Sequence, residues 1–305
     1  MLRSMDKKDQ HTVPRSYLRA WCDPETPNGA FIWVFSKEQK QGRRRSPKST
    51  FTQEDFYTLP GSGGQRDLSI ENSLAALEGA FVLVRDSALK ERRPLVDTER
   101  TDLLAFIAAM MTRTTRFTDH WRGQWSEVLG RMEKMQKELP LVKQRRSGIP
   151  IRKGESMGVE DVRRLATFTA QINLITIVPP LTEALSAMNL TILETNSQPG
   201  LITSDAPVVW FDPMAFTRPW PYNGHGLASP TIEISMPVSS TQAVLLTWRL
   251  ESGYVSVADD LVMEMNRMAR AHCHRAFVVS RDFVQPEWFD LLPPGFLDKR
   301  SPRIG

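Results

Sequence analysis

Five stretches of this sequence carry side chains able to do chemistry. Near the start, His11 precedes Val13-Pro14, which keeps the backbone out of helix. An imidazole with an ordinary pKa near ~6.5 suits general acid/base work, or it can simply hydrogen-bond the body of the protein and pin the segment. Glu71 and Glu78 lie one heptad apart, about 10 Å along a helix, too far to share a proton or one metal ion. Either of them could pair with Arg113 or Arg116. Arg113 is the candidate anion binder, because a guanidinium grips phosphate or carboxylate through two parallel hydrogen bonds. Ser204-Asp205 stands at a strand end before Pro207. There an aspartate closes a turn on backbone N–H groups, or faces a cleft to orient His11 or hold a metal. His272-Cys273-His274 would place both imidazoles on one face of a strand but on nearly opposite faces of a helix.

Several absences narrow these options. No Cys-x-x-Cys or His-Glu-x-x-His accompanies the late histidines, so no metal is expected. No Gly-x-Ser-x-Gly surrounds Ser204, which argues against a hydrolase nucleophile elbow. Gly61-Ser62-Gly63-Gly64 lacks the Lys-Ser/Thr of a phosphate loop, and no dinucleotide fingerprint is present, so no cofactor is expected. The basic runs Arg43-Arg44-Arg45 and Arg145-Arg146 read as loops that could engage nucleic acid through phosphate or stay solvated. Trp121, Trp125, Trp220 and Tyr222 offer stacking surfaces in principle, although aromatic rings more often belong to a core.

The elements that must position these groups follow from periodicity. Residues 31–35 are aromatic and β-branched and predict a strand after the Pro27-Asn28-Gly29 turn; 51–59 predict a weaker one. Residues 37–48 between them are basic, with Glu38 as the one acid. Asp67 or Ser69 caps a helix whose stripe is Ile70, Leu74, Leu77, Phe81 and Val84. A second helix begins at Asp97 or Thr98 and continues, with a break, to about Glu138. Residues 143–156 predict a basic loop; 161–178 predict a helix that Pro179-Pro180 kinks or ends. Strand patterns follow. Residues 190–194 and 201–211 suggest a hairpin around Gln198-Pro199-Gly200, and 231–238 with 243–249 suggest another. Residues 212–230 predict a long loop, 259–270 a helix and 275–280 a last strand.

Helices in the middle and hairpins after them imply an α+β fold: a central helical layer on a mostly antiparallel sheet built from N-terminal and C-terminal strands. The expected organisation is a single domain, with an extended segment (1–60), a helical region (67–188), a strand-rich region (189–282) and a tail (283–305). At 305 residues, 41% hydrophobic and 24% charged, the chain has material for a substantial core. The formal net charge of +4 permits contact with phosphate without demanding it. Two cysteines, a charged N-terminus and no apolar run of bilayer-spanning length point to a cytoplasmic, non-membrane protein.

Read together, separated segments resemble the bacterial domain-of-unknown-function family number 4238. Its His-x-Val-Pro-x-x-Tyr-Leu opening is His11-Thr12-Val13-Pro14-Arg15-Ser16-Tyr17-Leu18 here. Then come Ile32-Trp33-Val34, Asp55-Phe56-Tyr57, Ile70-Glu71 with Glu78, and Arg113-Thr114. Thr203-Ser204-Asp205-Ala206-Pro207-Val208, Pro237-Val238-Ser239 and Asn266 complete the series. The chain departs from the family pattern at Met110 and Met111, where Gln is frequent, and at Ala206, where Asn is frequent. The resemblance implies an architecture and candidate residues but no reaction.

Three functional expectations remain open. An enzyme would gather His11, Arg113 and Asp205, with Glu71 or Glu78, in one cleft to hydrolyse phosphodiesters, nucleic acid included. A non-catalytic module would use Arg43, Arg44, Arg45, Arg145 and Arg146 of the basic loops, with the 212–230 loop, to hold nucleic acid or a protein, the signature residues fastening the fold. A toxin-like or phage-defence effector is the third.

Overall fold

The computed structural model describes residues 8–23, 31–61, 63, 65–138, 157–219, 224, 226–250 and 252–290. Arg145, Arg146, Trp220, Tyr222 and His225, and the loop expected at 143–156, lie outside those residues. The first half contains β1 (Asp9–His11), α1 (Arg15–Leu18), β2 (Ile32–Ser36), β3 (Gly42–Arg45), β4 (Thr52–Glu54), β5 (Leu59–Pro60) and β6 (Arg66–Asp67). Then come α2 (Ser69–Val84), α3 (Asp97–Thr112) and α4 (Thr115–Glu138). The second half contains α5 (Val159–Thr167), α6 (Thr169–Ser186), β7 (Asn189–Glu194), β8 (Thr203–Ser204), β9 (Val209–Phe211) and β10 (Glu233–Pro237). It ends with β11 (Gln242–Thr247), β12 (Gly253–Ser256), α7 (Asp259–His272) and β13 (Ala276–Val279).

The fold is α+β. A five-stranded sheet runs β12-β7-β11-β10-β9 and a four-stranded sheet runs β3-β2-β13-β8; the pairs β1-β4 and β5-β6 stand apart. Pairing is antiparallel except where β12 lies parallel to β7, with Ser256 opposite Glu194. In the smaller sheet the N-terminal strand β2 pairs with the C-terminal strand β13, Val34 opposite Val278, so the chain's two ends are joined as expected.

Local chemistry explains the helix starts. The Asp67 carboxylate accepts the Ser69 N–H at 2.9 Å, which satisfies one orphan donor of α2. The Glu99 carboxylate reaches back to the Val96 N–H at 3.1 Å and is itself gripped by Arg93, which fixes the start of α3. α2, α3 and α6 lay Phe81, Leu104, Ile107 and Leu185 on the inner face of the larger sheet, against Ile192, Ile234 and Val244. Phe81 and Phe106 stack at 3.8 Å between centroids inside this layer. A second cluster packs Phe35, Phe277 and Trp288 with Ala269 of α7. No single helix among the described residues is long and apolar enough to cross a membrane.

Four local expectations are corrected. Residues 42–45 of the basic segment are not a loop but strand β3, paired with β2. Residues 190–194 and 201–211 do not form a hairpin. The latter segment splits at 205–208, sending β8 to the smaller sheet and β9 to the larger one. The helix expected at 161–178 breaks at Phe168, where α5 and α6 meet at 87°. α6 then runs on through Pro179-Pro180, both exposed, to Ser186.

Candidate functional site

Arg113 occupies the junction between α3 and α4, where its backbone N–H still closes the last turn of α3 on the Ala109 carbonyl. Its side chain is 2% exposed. Nη1 donates to Glu78 Oε1 at 2.8 Å, and Nη2 donates to the His11 carbonyl at 2.6 Å. The guanidinium lies 5.6 Å over the Tyr57 ring, whose hydroxyl donates to the Arg113 carbonyl at 3.0 Å. Burial works against its charge, but Tyr57 and Glu78 outweigh it, so the guanidinium stays protonated above its ordinary value. Of the expected partners for an early glutamate, Arg113 takes Glu78. Glu71 lies near enough to Tyr57 to act on its hydroxyl through space.

His11 is at the end of β1, opposite Thr52. Its Nε2–H donates to the Pro47 carbonyl at 3.2 Å, which fixes the tautomer. Burial lowers its pKa, an effect that the Pro47 bond and Glu78 oppose in part and Arg113 reinforces. The structure therefore brings His11, Arg113 and Glu78 together, but Arg113 touches the main chain of His11 and not its ring.

Asp205 is engaged elsewhere. Its oxygens accept the N–H groups of His274 at 2.8 Å, Arg275 at 2.7 Å and Ala276 at 3.2 Å, closing the turn that opens β13. Burial pushes its carboxyl pKa up, and the three N–H groups pull it back only in part. Ser204 Oγ accepts the Ala206 N–H at 3.1 Å. The turn-closing arrangement uses both carboxylate oxygens.

The late histidines part ways. His272 is the last residue of α7, whose end carbonyls take charge-assisted bonds from Lys37 (2.9 Å to Ala271, 2.7 Å to Cys273) and Arg116 (2.6 Å to His272). Burial first, then those two cations, pushes the His272 imidazole down to about 4. Burial raises the Cys273 thiol to about 12, an inert core group. Among the described residues no group of three or more His, Cys, Asp or Glu side chains is placed to hold a metal ion.

Beside these residues opens a cavity of about 750 Å³. Met110, Met111 and Thr112 of α3 form one wall, and Arg116, Phe117, His120 and Trp121 of α4 another. Ile177 and Leu181 of α6 face Ala206, Val208 and Trp210 across it, and His272 closes the α7 side. Most of these side chains are apolar; Arg116, His120 and His272 supply polar groups. The indole Nε1–H of Trp210 is buried and has no hydrogen-bond partner. The Arg113-Thr114 junction and the Ser204–Val208 segment thus border the same cavity, with Thr114, Ala206 and Val208 in its wall. All three departures from the family pattern, Met110, Met111 and Ala206, line it, so those wall positions are apolar in this chain.

Sequence reading missed His120, Phe117 and Trp210, and took His272 for a metal question. The available signal was the i, i+4 spacing of Arg116 with His120 and of Phe117 with Trp121, which stacks a polar and an aromatic pair along adjacent rows of one helix. Neither a curated protein nor a solved structure matches the chain. The model of one family, described as "Protein of unknown function (DUF4238)", matches residues 9–283, which take in the buried Tyr57, Arg113, Asp205 and Asn266. The chain belongs to that family.

Proposed function

We propose that this protein binds a small amphiphilic molecule in the cavity between α3, α4, α6 and the segment 206–210. The observation that carries this reading is a single 750 Å³ space whose walls are mainly apolar and whose polar groups converge from α4 and α7. That volume and that mixture match ligand sites in general, where apolar surface supplies affinity and a few polar groups supply orientation. Phe117 and Trp121 would take an apolar or aromatic body. Arg116 and His120 would take an acceptor-bearing or anionic end.

The test is a thermal-shift and calorimetric screen of aliphatic and aromatic carboxylates against the uncarboxylated analogues, with wild type and Leu181→Trp. A saturable rise in midpoint for carboxylates, lost in the filled variant while the unliganded midpoint is retained, is expected. No shift with any member, or equal shifts in both proteins, would refute the proposal.

Phosphodiester hydrolysis is a second reading, favoured by His120, His272 and Arg116 lining one cavity. The trio of His11, Arg113 and Asp205 serves it poorly, since Arg113 and Asp205 spend their hydrogen bonds on the protein itself. A phosphodiesterase assay that His120→Ala leaves unchanged would remove this second reading.

A further inference from the structure

We infer that the outer edge of the smaller sheet is a docking surface for single-stranded nucleic acid. Strand β3 is terminal in the order β3-β2-β13-β8. It exposes Arg43, Arg44 and Arg45, and Lys40 and Lys48 flank it, both exposed. From residue 39 to residue 53 the chain contains no aspartate or glutamate. Among the described residues no carboxylate forms a salt bridge with any of these five cations, unlike Arg163 or Arg270, which sit on glutamates.

The register sorts the arginines by face. Arg43 and Arg45 lie opposite Val34 and Ile32, and Arg44 lies opposite Trp33. Successive residues on one face of a strand are about 7 Å apart, a spacing comparable with successive phosphates of an extended single strand. Arg44 lies over Phe31 at 5.2 Å and over Trp33 at 5.7 Å, and Phe31 is 38% exposed. Guanidinium and rings together offer a cationic surface on one face of the edge strand where a base can stack, while Arg43 and Arg45, on the opposite face, meet the phosphates as the single strand wraps that edge. Beside it the Asp23 carboxylate accepts the Trp33 indole N–H at 3.0 Å. Arginines on an edge strand also discourage sheet-to-sheet pairing. That role needs neither the exposed ring nor the flanking lysines. It is the rival explanation the experiment separates.

The full chain is titrated against fluorescein-labelled oligothymidylate and oligouridylate, read by anisotropy. A duplex of matched length and phosphatidylserine vesicles serve as comparison arms. Wild type is expected to prefer the single strands. Arg43→Glu with Arg45→Glu should weaken binding about tenfold or more and flatten the slope of log affinity against log salt by about 1.4, at about 0.7 per phosphate contact. The milder Arg43→Gln with Arg45→Gln guards against loss of folding, and Phe31→Ala should weaken single-strand binding with the salt slope unchanged. No binding by wild type, tighter binding to duplex or vesicles, or variants that aggregate without altered affinity would each overturn the inference. None of these outcomes depends on the cavity.

Discussion

Tyr17, Trp21, Arg113, Asp205 and Asn266 share a physical situation: each is buried and has at least one hydrogen bond to main chain far away in sequence. The Tyr17 hydroxyl donates to the Pro237 carbonyl at 2.6 Å, and the Trp21 indole to the Leu201 carbonyl at 2.7 Å. Asn266 accepts the Ile202 N–H at 2.9 Å and donates to the Gly200 carbonyl at 2.8 Å. Removing such a side chain strands backbone groups that water does not reach. Asp205→Ala should therefore cost about 3 kcal/mol, near the upper end for buried groups left unpaired, read as a lower urea midpoint at unchanged slope. Arg113→Met should cost a similar ~3 kcal/mol by stranding the partly buried Glu78 carboxylate. Inorganic phosphate should not stabilise wild type through Arg113, whose two terminal nitrogens are already bonded; a phosphate-dependent rise lost in Arg113→Met would contradict this. Residue type alone did not separate these fasteners from catalysts. A carboxylate that closes a turn and one that orients an imidazole look alike until the N–H groups of 274–276 are in place.

At the scale of elements, periodicity was a good guide where burial is one-sided. α2, α3 and α7 begin and end within a few residues of their apolar stripes, and the break between α3 and α4 falls at Arg113. It failed where non-local pairing decides. β12 is short, mostly exposed and carries no apolar alternation, and it exists because β7 offers a parallel edge. The segment 201–211 reads as one strand, but Asp205 ties its middle to β13 and divides it between two sheets. Proline was overrated in α6. Pro179 and Pro180 are exposed, and the carbonyls they leave without a helical donor belong to Ile175 and Thr176, themselves exposed, where water can serve them. The helix therefore continues at a cost that tertiary packing of Leu174, Leu181 and Leu185 offsets. Pro180→Ala restores one i→i−4 bond without touching the core, and should raise stability by about 1–3 kcal/mol, less the unfolded-state entropy the proline had removed. Differential scanning calorimetry reads this as a higher midpoint, and a lower one would show that the pyrrolidine ring is itself packed.

At the scale of the whole molecule, the closure of the N-terminal strand onto the C-terminal one was legible, because residues 31–35 needed a partner the middle of the chain does not offer. The cavity was not, since its lining runs from Met110 to His272 and only the packed arrangement of helices and sheet brings it together. That packing has a consequence for pH. The His272 imidazole is held down to about 4, and burial lowers His11 as well. An unfolded histidine takes its proton near about 6.5, the folded His272 only near 4, so acidification through that window favours the unfolded chain. The loss is bounded at about 3 kcal/mol by the size of the shift and is nearer 1–2 kcal/mol after screening of a ring that remains partly accessible. Asp205 works in the opposite direction, because its raised carboxyl pKa lets the folded chain take that proton first. Glu99 and Asp212, both held down to about 2, work in the same direction as His272: their contributions begin to be lost at about pH 5, as the unfolded carboxyls take protons, and go on falling toward their folded values. Urea midpoints measured from about pH 7 down to about pH 4 should therefore fall steadily, with the steepest part below 6.5. His272→Gln, which cannot protonate, should flatten that fall while leaving the midpoint near pH 7 within about 1 kcal/mol of wild type. A profile of equal steepness in the variant would move the titrating group away from the α7 terminus.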